Sequence, residues 1–242
     1  MKNKLLILLF LIIGVILITL GFVLHIFPFS KEKVELKDAS VTFGEGLKLE
    51  VCDDDVNCEV ASSIYYYLLE YSGVSKEFSN IIDDINKESR SLYNDAIESK
   101  LENKSCASYN NLNYGLFHTN YIVLSSSEEI ISIFFNRGMT DLCATTNEVL
   151  ESKSYIYSVN DEKILSEKEI LKYYKIDNDD LELAVNTSIL QINYNNNTTY
   201  FYEDFFDSDK GFYNYFVDTD GVLKFYWYDK VNKVDVLSVI QK

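Results

Sequence analysis

Residues 75–101, SKEFSNIIDDINKESRSLYNDAIESKL, decide the fold class. Phe78, Ile81, Ile82, Ile85, Leu92, Tyr93, Ala96, Ile97 and Leu101 recur at helical spacing, so they line one side of a helix whose other side is charged. One long amphipathic helix must cover something apolar, and the flanking sequence supplies strands for it to cover.

Ahead of the helix, Leu47-Lys48-Leu49-Glu50-Val51 alternates apolar and polar as a half-buried strand does, and residues 60–71 hold a nearly continuous apolar run read as a second strand. Behind it, residues 112–124 and 129–135 read as strands around the turn Ser125-Ser126-Ser127, and residues 154–159 as another. Ser166 and Glu169 have the spacing of a capping box opening a short helix through Tyr174, and residues 180–192 form a less regular helical stretch. The chain then returns to strands at 212–217, 222–228 and 234–240, with Asp218-Thr219-Asp220-Gly221 as a hairpin turn. No internal repeat occurs, and helices and strands mix without β-α-β alternation. The expected fold is therefore α+β, a single domain of antiparallel sheet with one long and one or two shorter helices.

Residues 5–27 are a different kind of segment: 23 positions without a charge. A helix of that length covers about 34 Å, enough for a hydrocarbon core of about 30 Å. No alanine precedes Ala39 and no cysteine precedes Cys52, so neither an A-x-A cleavage site nor a lipoprotein attachment site is in place. The expectation is an uncleaved transmembrane signal anchor, with residues 1–4 as a short cytoplasmic tail, 28–40 as a stalk and 41–242 as an extracytoplasmic domain. Lys2 and Lys4 ahead of the span and Lys31, Lys33 and Lys37 behind it leave the positive-inside comparison unsettled. The small basic tail, the acidic domain and the even number of cysteines favour the N-terminus-inside arrangement.

The whole chain carries a formal charge of −16. Setting aside Lys2 and Lys4 leaves twenty basic residues against 38 acidic ones, about −18 for the folded part. Such a surface repels phosphate backbones, which argues against nucleic-acid binding.

Four cysteines, Cys52, Cys58, Cys106 and Cys143, permit three pairings or stay as reduced buried thiols; Cys52 with Cys58, and Cys106 with Cys143, are the disulfide candidates. Zinc is not expected, since neither C-x-x-C nor a histidine pair is present. The acidic stretches Asp53-Asp54-Asp55, Asp207 with Asp209, and Asp218 with Asp220 lack a full calcium loop and read as solvated turns. His118 is the only histidine beyond the apolar run, and no nucleophile motif accompanies it, so no catalytic residue and no cofactor are expected.

Residues 200–228 hold thirteen aromatics in 29 positions. Neighbouring residues on a strand point to opposite faces, so part of this set is core and part is available to a ligand. Core packing is the default role of this stretch, and Tyr200, Tyr202, Tyr213, Tyr215, Tyr226, Trp227 and Tyr228 are the candidates for stacking on a sugar or docking a protein.

Four stretches together resemble the extracytoplasmic RsiV-type domain of lysozyme-responsive anti-sigma factors and of some peptidoglycan deacetylases. They are the helix with Asn86, Tyr93 and Asn94; Glu129-Ile130-Ile131-Ser132-Ile133-Phe134-Phe135; Tyr155-Ile156-Tyr157-Ser158-Val159 through Ile164-Leu165-Ser166 and Ile170; and the terminal hairpin from Phe212 to Val222. The sequence departs from the family where Arg137-Gly138-Met139-Thr140-Asp141-Leu142-Cys143 replaces a small-residue loop. Four residues ahead of the span are too few to hold a sigma factor, and no deacetylase module fits the length. The resemblance thus implies a fold and a location: a non-catalytic binding or sensing domain of the bacterial envelope, tethered to the cell membrane through residues 5–27, whose ligand is a cationic protein such as lysozyme. An envelope enzyme or enzyme accessory acting on peptidoglycan, with a cell-wall glycan as ligand, is the alternative.

Overall fold

A computed structural model describes residues 38–52, 60–102, 116–141, 146–196 and 198–240. The expected span, 5–27, lies outside the described residues. Among the described residues no helix is long and apolar enough to cross a membrane.

The unit that begins at Lys37 is α+β with three α-helices and antiparallel sheets among its described residues. Its elements in order are β1 (Ser40–Phe43), β2 (Leu47–Cys52), β3 (Val60–Tyr66), β4 (Leu69–Ser72), α1 (Lys76–Glu102), β5 (Leu116–Ser126), β6 (Ile130–Asp141), β7 (Thr146–Ser158) and β8 (Lys163–Ile164). Helices α2 (Glu167–Tyr173) and α3 (Asn178–Asn196) and a 3-10 turn (Tyr202–Phe206) follow, and then β9 (Gly211–Val217), β10 (Leu223–Asp229) and β11 (Val234–Val239).

The long helix is where its periodicity places it. Phe78, Ile82, Ile85, Leu92 and Ala96 are all buried, and the Ser75 hydroxyl accepts a hydrogen bond from the Phe78 amide at the helix start, 3.3 Å. The helix lies on a four-stranded sheet of order β5-β6-β7-β8, where Phe78, Ile82 and Ile85 meet Ile122, Ile131, Ile133 and Phe135.

Strand β6 is buried on both faces. Ile131, Ile133 and Phe135 face α1. Phe134, one step out of phase, packs on Phe216, Tyr226 and Tyr228 of a three-stranded sheet of order β11-β10-β9, and the Ser132 hydroxyl accepts the Val217 amide at 2.9 Å. Two covered faces explain why residues 130–135 read as an apolar run broken only by Ser132 instead of an alternation.

The three-stranded sheet is likewise split by parity. Tyr215, Val217, Phe225, Trp227 and Val236 form a core with Ile170 of α2, Leu181, Val185, Ile189 and Ile192 of α3, and Phe205. The hairpin turn expected at residues 218–221 joins β9 to β10: Gly221 takes φ +76°, and the Asp218 carboxylate accepts the Asp220 and Val222 amides at 3.0 and 3.2 Å.

Two differences from the sequence expectation have local causes. The single strand expected over residues 60–71 is two, because the chain breaks at Tyr67-Leu68 and changes partner: β3 pairs with β2 (Leu49 opposite Ile64) and β4 pairs with β1 (Val41 opposite Tyr71). β4 is then clamped to the helix by Asn86, whose side chain accepts the Leu69 amide at 2.7 Å and donates to the Leu69 carbonyl at 2.8 Å. Strand β7 begins at Thr146, eight residues ahead of expectation; Glu148, Glu151 and Lys153 interrupt the apolar pattern by which a strand is read. The capping box at Ser166 and Glu169 is present at the start of α2.

Candidate functional site

The two sheets touch where Phe134 stacks on Phe216, with ring centroids 4.4 Å apart. Beyond that contact they leave a cleft of about 780 Å³, a size suited to a drug-sized ligand or a short peptide segment. One wall comes from β3, β5, β6 and β7 and the residue after β3 (Tyr65, Tyr67, Tyr121, Phe134, Met139, Val149), and the other from β9, β10 and β11 (Phe216, Tyr226, Leu237). Period two on the strands puts Tyr65 and Tyr67, then Thr119, Tyr121 and Val123, on the same side as Phe134, which lies opposite Val123 in the ladder.

Part of each apolar wall remains exposed. Tyr121 is 57% exposed, Leu237 54% and Tyr65 49%, although each is large enough to be a core residue. The polar part consists of Glu148, Asp218, Asp235, Lys224, Asn136 and several hydroxyl side chains. Lys224 bridges Asp218 at 2.6 Å, and Lys233 bridges Glu148 at 2.9 Å. Asp235 has no ion pair among the described residues.

Burial works against the Asp218 carboxylate, but the Lys224 ammonium and the Val222 and Asp220 amides outweigh it and hold its pKa below the ordinary value. Burial pushes the Tyr226 hydroxyl well above its usual range, and the Asp235 carboxylate pushes the same way. Asn136 sits beside Tyr226 on the floor, and its Oδ1 is buried without a hydrogen-bond partner.

The seven aromatic candidates divide sharply. Tyr226 alone lines the cleft. Trp227 is fully enclosed against Phe205, with centroids 4.2 Å apart, so its faces are taken by packing. Tyr215 and Tyr228 are buried, Tyr202 and Tyr213 are half-buried around the Phe206 and Phe225 rings, and Tyr200 is buried with its hydroxyl donating to the Asp229 carboxylate. All seven are thus arranged as core or at its edge, Tyr226 lining the cleft from within a buried cluster. The cleft aromatics that sequence reasoning missed, Tyr65, Tyr67 and Tyr121, lie outside the aromatic-rich stretch. Their only signal was period-two spacing within strands whose partner sheet is far away in sequence.

Cys52 ends β2 opposite Val60, while Cys58, Cys106 and Cys143 lie outside the described residues, as do Asp53, Asp54 and Asp55. Among the described residues no three His, Cys, Asp or Glu side chains are placed to hold a metal. Asp207 and Asp218 use their carboxylates to close their own turns. His118 is exposed on β5 opposite Met139. A scan of protein-family models finds none that matches the chain, and no curated protein matches it.

Proposed function

We propose that the chain is a non-catalytic binding or sensing domain of the bacterial envelope, anchored by residues 5–27 as a single-pass signal anchor, with its α+β domain extracytoplasmic and open to a cationic protein ligand. The observation that carries this reading is the cleft between the sheets: exposed tyrosine and leucine walls rimmed by Glu148, Asp218 and Asp235 in a domain with an excess of negative charge. Aromatic side chains beside carboxylates favour a ligand that combines apolar contact with positive charge. The RsiV-type resemblance makes lysozyme the protein to test first.

Titrating the full-length chain in detergent micelles with lysozyme, at low and at physiological salt, tests the ligand. Binding that weakens as salt rises supports it, and no binding under either condition removes it. Protease added to intact cells tests the placement: digestion of the domain supports an outward orientation, and protection until the cells are lysed removes it.

A further inference from the structure

We propose that the cleft is a receptor for one basic side chain of that protein ligand, a guanidinium or ammonium group lying along Tyr121 and Leu237 and paired with the carboxylate of Asp235, with Asn136 as the hydrogen-bond acceptor on the floor. The inference rests on the cationic-ligand reading above and gives it a place and a chemistry.

Charge is the first argument. Three carboxylates and one ammonium line the cleft. Glu148 and Asp218 are each compensated by a lysine, which leaves Asp235 as the charge without a counter-ion among the described residues. A neutral ligand, including a neutral sugar, would cover that carboxylate without compensating it, at a desolvation cost. A cation removes the cost.

The second argument is independent of charge. Asn136 is nine-tenths buried and lines the cleft; its side chain hydrogen-bonds the Tyr226 hydroxyl, while its Oδ1 has no donor. Buried acceptors in folded proteins are almost always satisfied, so an unsatisfied one on a residue that lines a cleft marks a place for an N–H or O–H from outside. A guanidinium carries five N–H donors on a planar frame and can serve Asp235 and Asn136 together.

The third is the wall. An arginine or lysine side chain has an apolar stem and a charged head, and the cleft has the matching order. Leu237, Tyr65 and Tyr67 offer exposed apolar contact, and Tyr121 presents an exposed ring on which a cation can lie.

The test uses full-length protein in micelles, labelled for NMR, with acetyl-arginine amide as the probe and acetyl-citrulline amide as its neutral isostere. The expected result is that the arginine compound shifts the Asn136 side-chain amide and the Tyr121 backbone signals, that citrulline does so about tenfold more weakly, and that Asp235→Asn brings arginine down to the citrulline level. No shift with arginine, or equal shifts with both compounds, overturns the proposal. Asp235 and Tyr121 are exposed, so Asp235→Asn and Tyr121→Ala should leave the fold intact, as circular dichroism will show. Lysozyme titration separates the two readings. If wild type binds lysozyme and both variants bind it equally well, the cleft is not the receptor while the cationic-ligand function stands. If wild type does not bind lysozyme, that function fails, and the arginine titration by itself decides whether the cleft holds a basic side chain.

Discussion

Phe134 of β6 and Phe216 of β9 lie nearly parallel, 15° between ring planes, and their stack fastens the two sheets together beside the Ser132–Val217 and Ser152–Asn214 hydrogen bonds. The stack belongs to a small core with Tyr226 and Tyr228, the cleft opens beside it, and the core around Trp227 lies on the opposite face of the β9–β11 sheet. A single ring therefore both joins the two sheets and lines the site.

Replacing Phe134 by alanine should cost about 3–5 kcal/mol, the usual penalty for deleting a buried phenylalanine. Urea unfolding measures it, and a loss below about 1 kcal/mol would show that the sheets are held by other contacts. Phe134→Leu should lose less and should retain the lysozyme or arginine response better than Phe134→Ala.

Asn86 satisfies both backbone groups of Leu69 from the helix. Asn86→Ala should leave a buried amide and carbonyl unpaired, a cost of about 1–3 kcal/mol. The effect should be local first: hydrogen exchange at residues 69–72 should accelerate well before the core strands respond. Uniform acceleration through the domain would contradict this.

Gly211 sits against β10 so closely that a Cβ there would meet the Tyr228 carbonyl at 2.4 Å and the Trp227 indole nitrogen at 2.6 Å. Gly211→Ala should therefore destabilise by about 1–3 kcal/mol through forced displacement of β10, visible as a changed tryptophan emission. An unshifted emission and unchanged stability would show that β9 can give way at its first residue.

The pH dependence has two ends. Burial opposes the Asp229 charge, but the Tyr200 hydroxyl, Asn232 and the Val231 amide outweigh it and lower its pKa. A lowered carboxylate contributes stability that is present above the unfolded value of about 3.9 and is lost as pH falls through the folded one. Asp229→Asn should flatten the acid limb of the stability curve. At the other end, burial pushes Tyr174 and Tyr200 up to about 12. Their neutral forms are favoured by folding, so stability should fall as pH rises from about 10, where unfolded tyrosine ionises. Tyrosinate absorbance and circular dichroism should change together in that range; ionisation with the fold intact would contradict the assignment.

The local signals in the sequence were strong enough to place most elements. Phe78, Ile82 and Ile85 have one helical spacing and no competing pattern, and Asp220-Gly221 fits few conformations besides a turn. Reading failed where the decisive partner is distant. Tyr66 looks continuous with Leu69 in the chain, yet their strands separate because one pairs with Leu47 and the other with Phe43. The site suffered in the same way. Aromatic density drew the ligand candidates to residues 200–228, where the default role, core packing around Trp227, is the one most of them serve. The exposed Tyr65 and Tyr121 are sparse, and only the meeting of the two sheets gives them a common wall.

Strand β6 needs two covers that lie on opposite sides of it in the chain: α1 precedes it, while β9 and β10 come some seventy residues later. When the polypeptide emerges N-terminus first, the Phe134 side of an uncharged, β-prone run therefore waits uncovered until the end of synthesis. Chains truncated before Gly211 should accumulate as aggregates or be degraded instead of surviving as a smaller folded domain, because the last strands complete a core begun early.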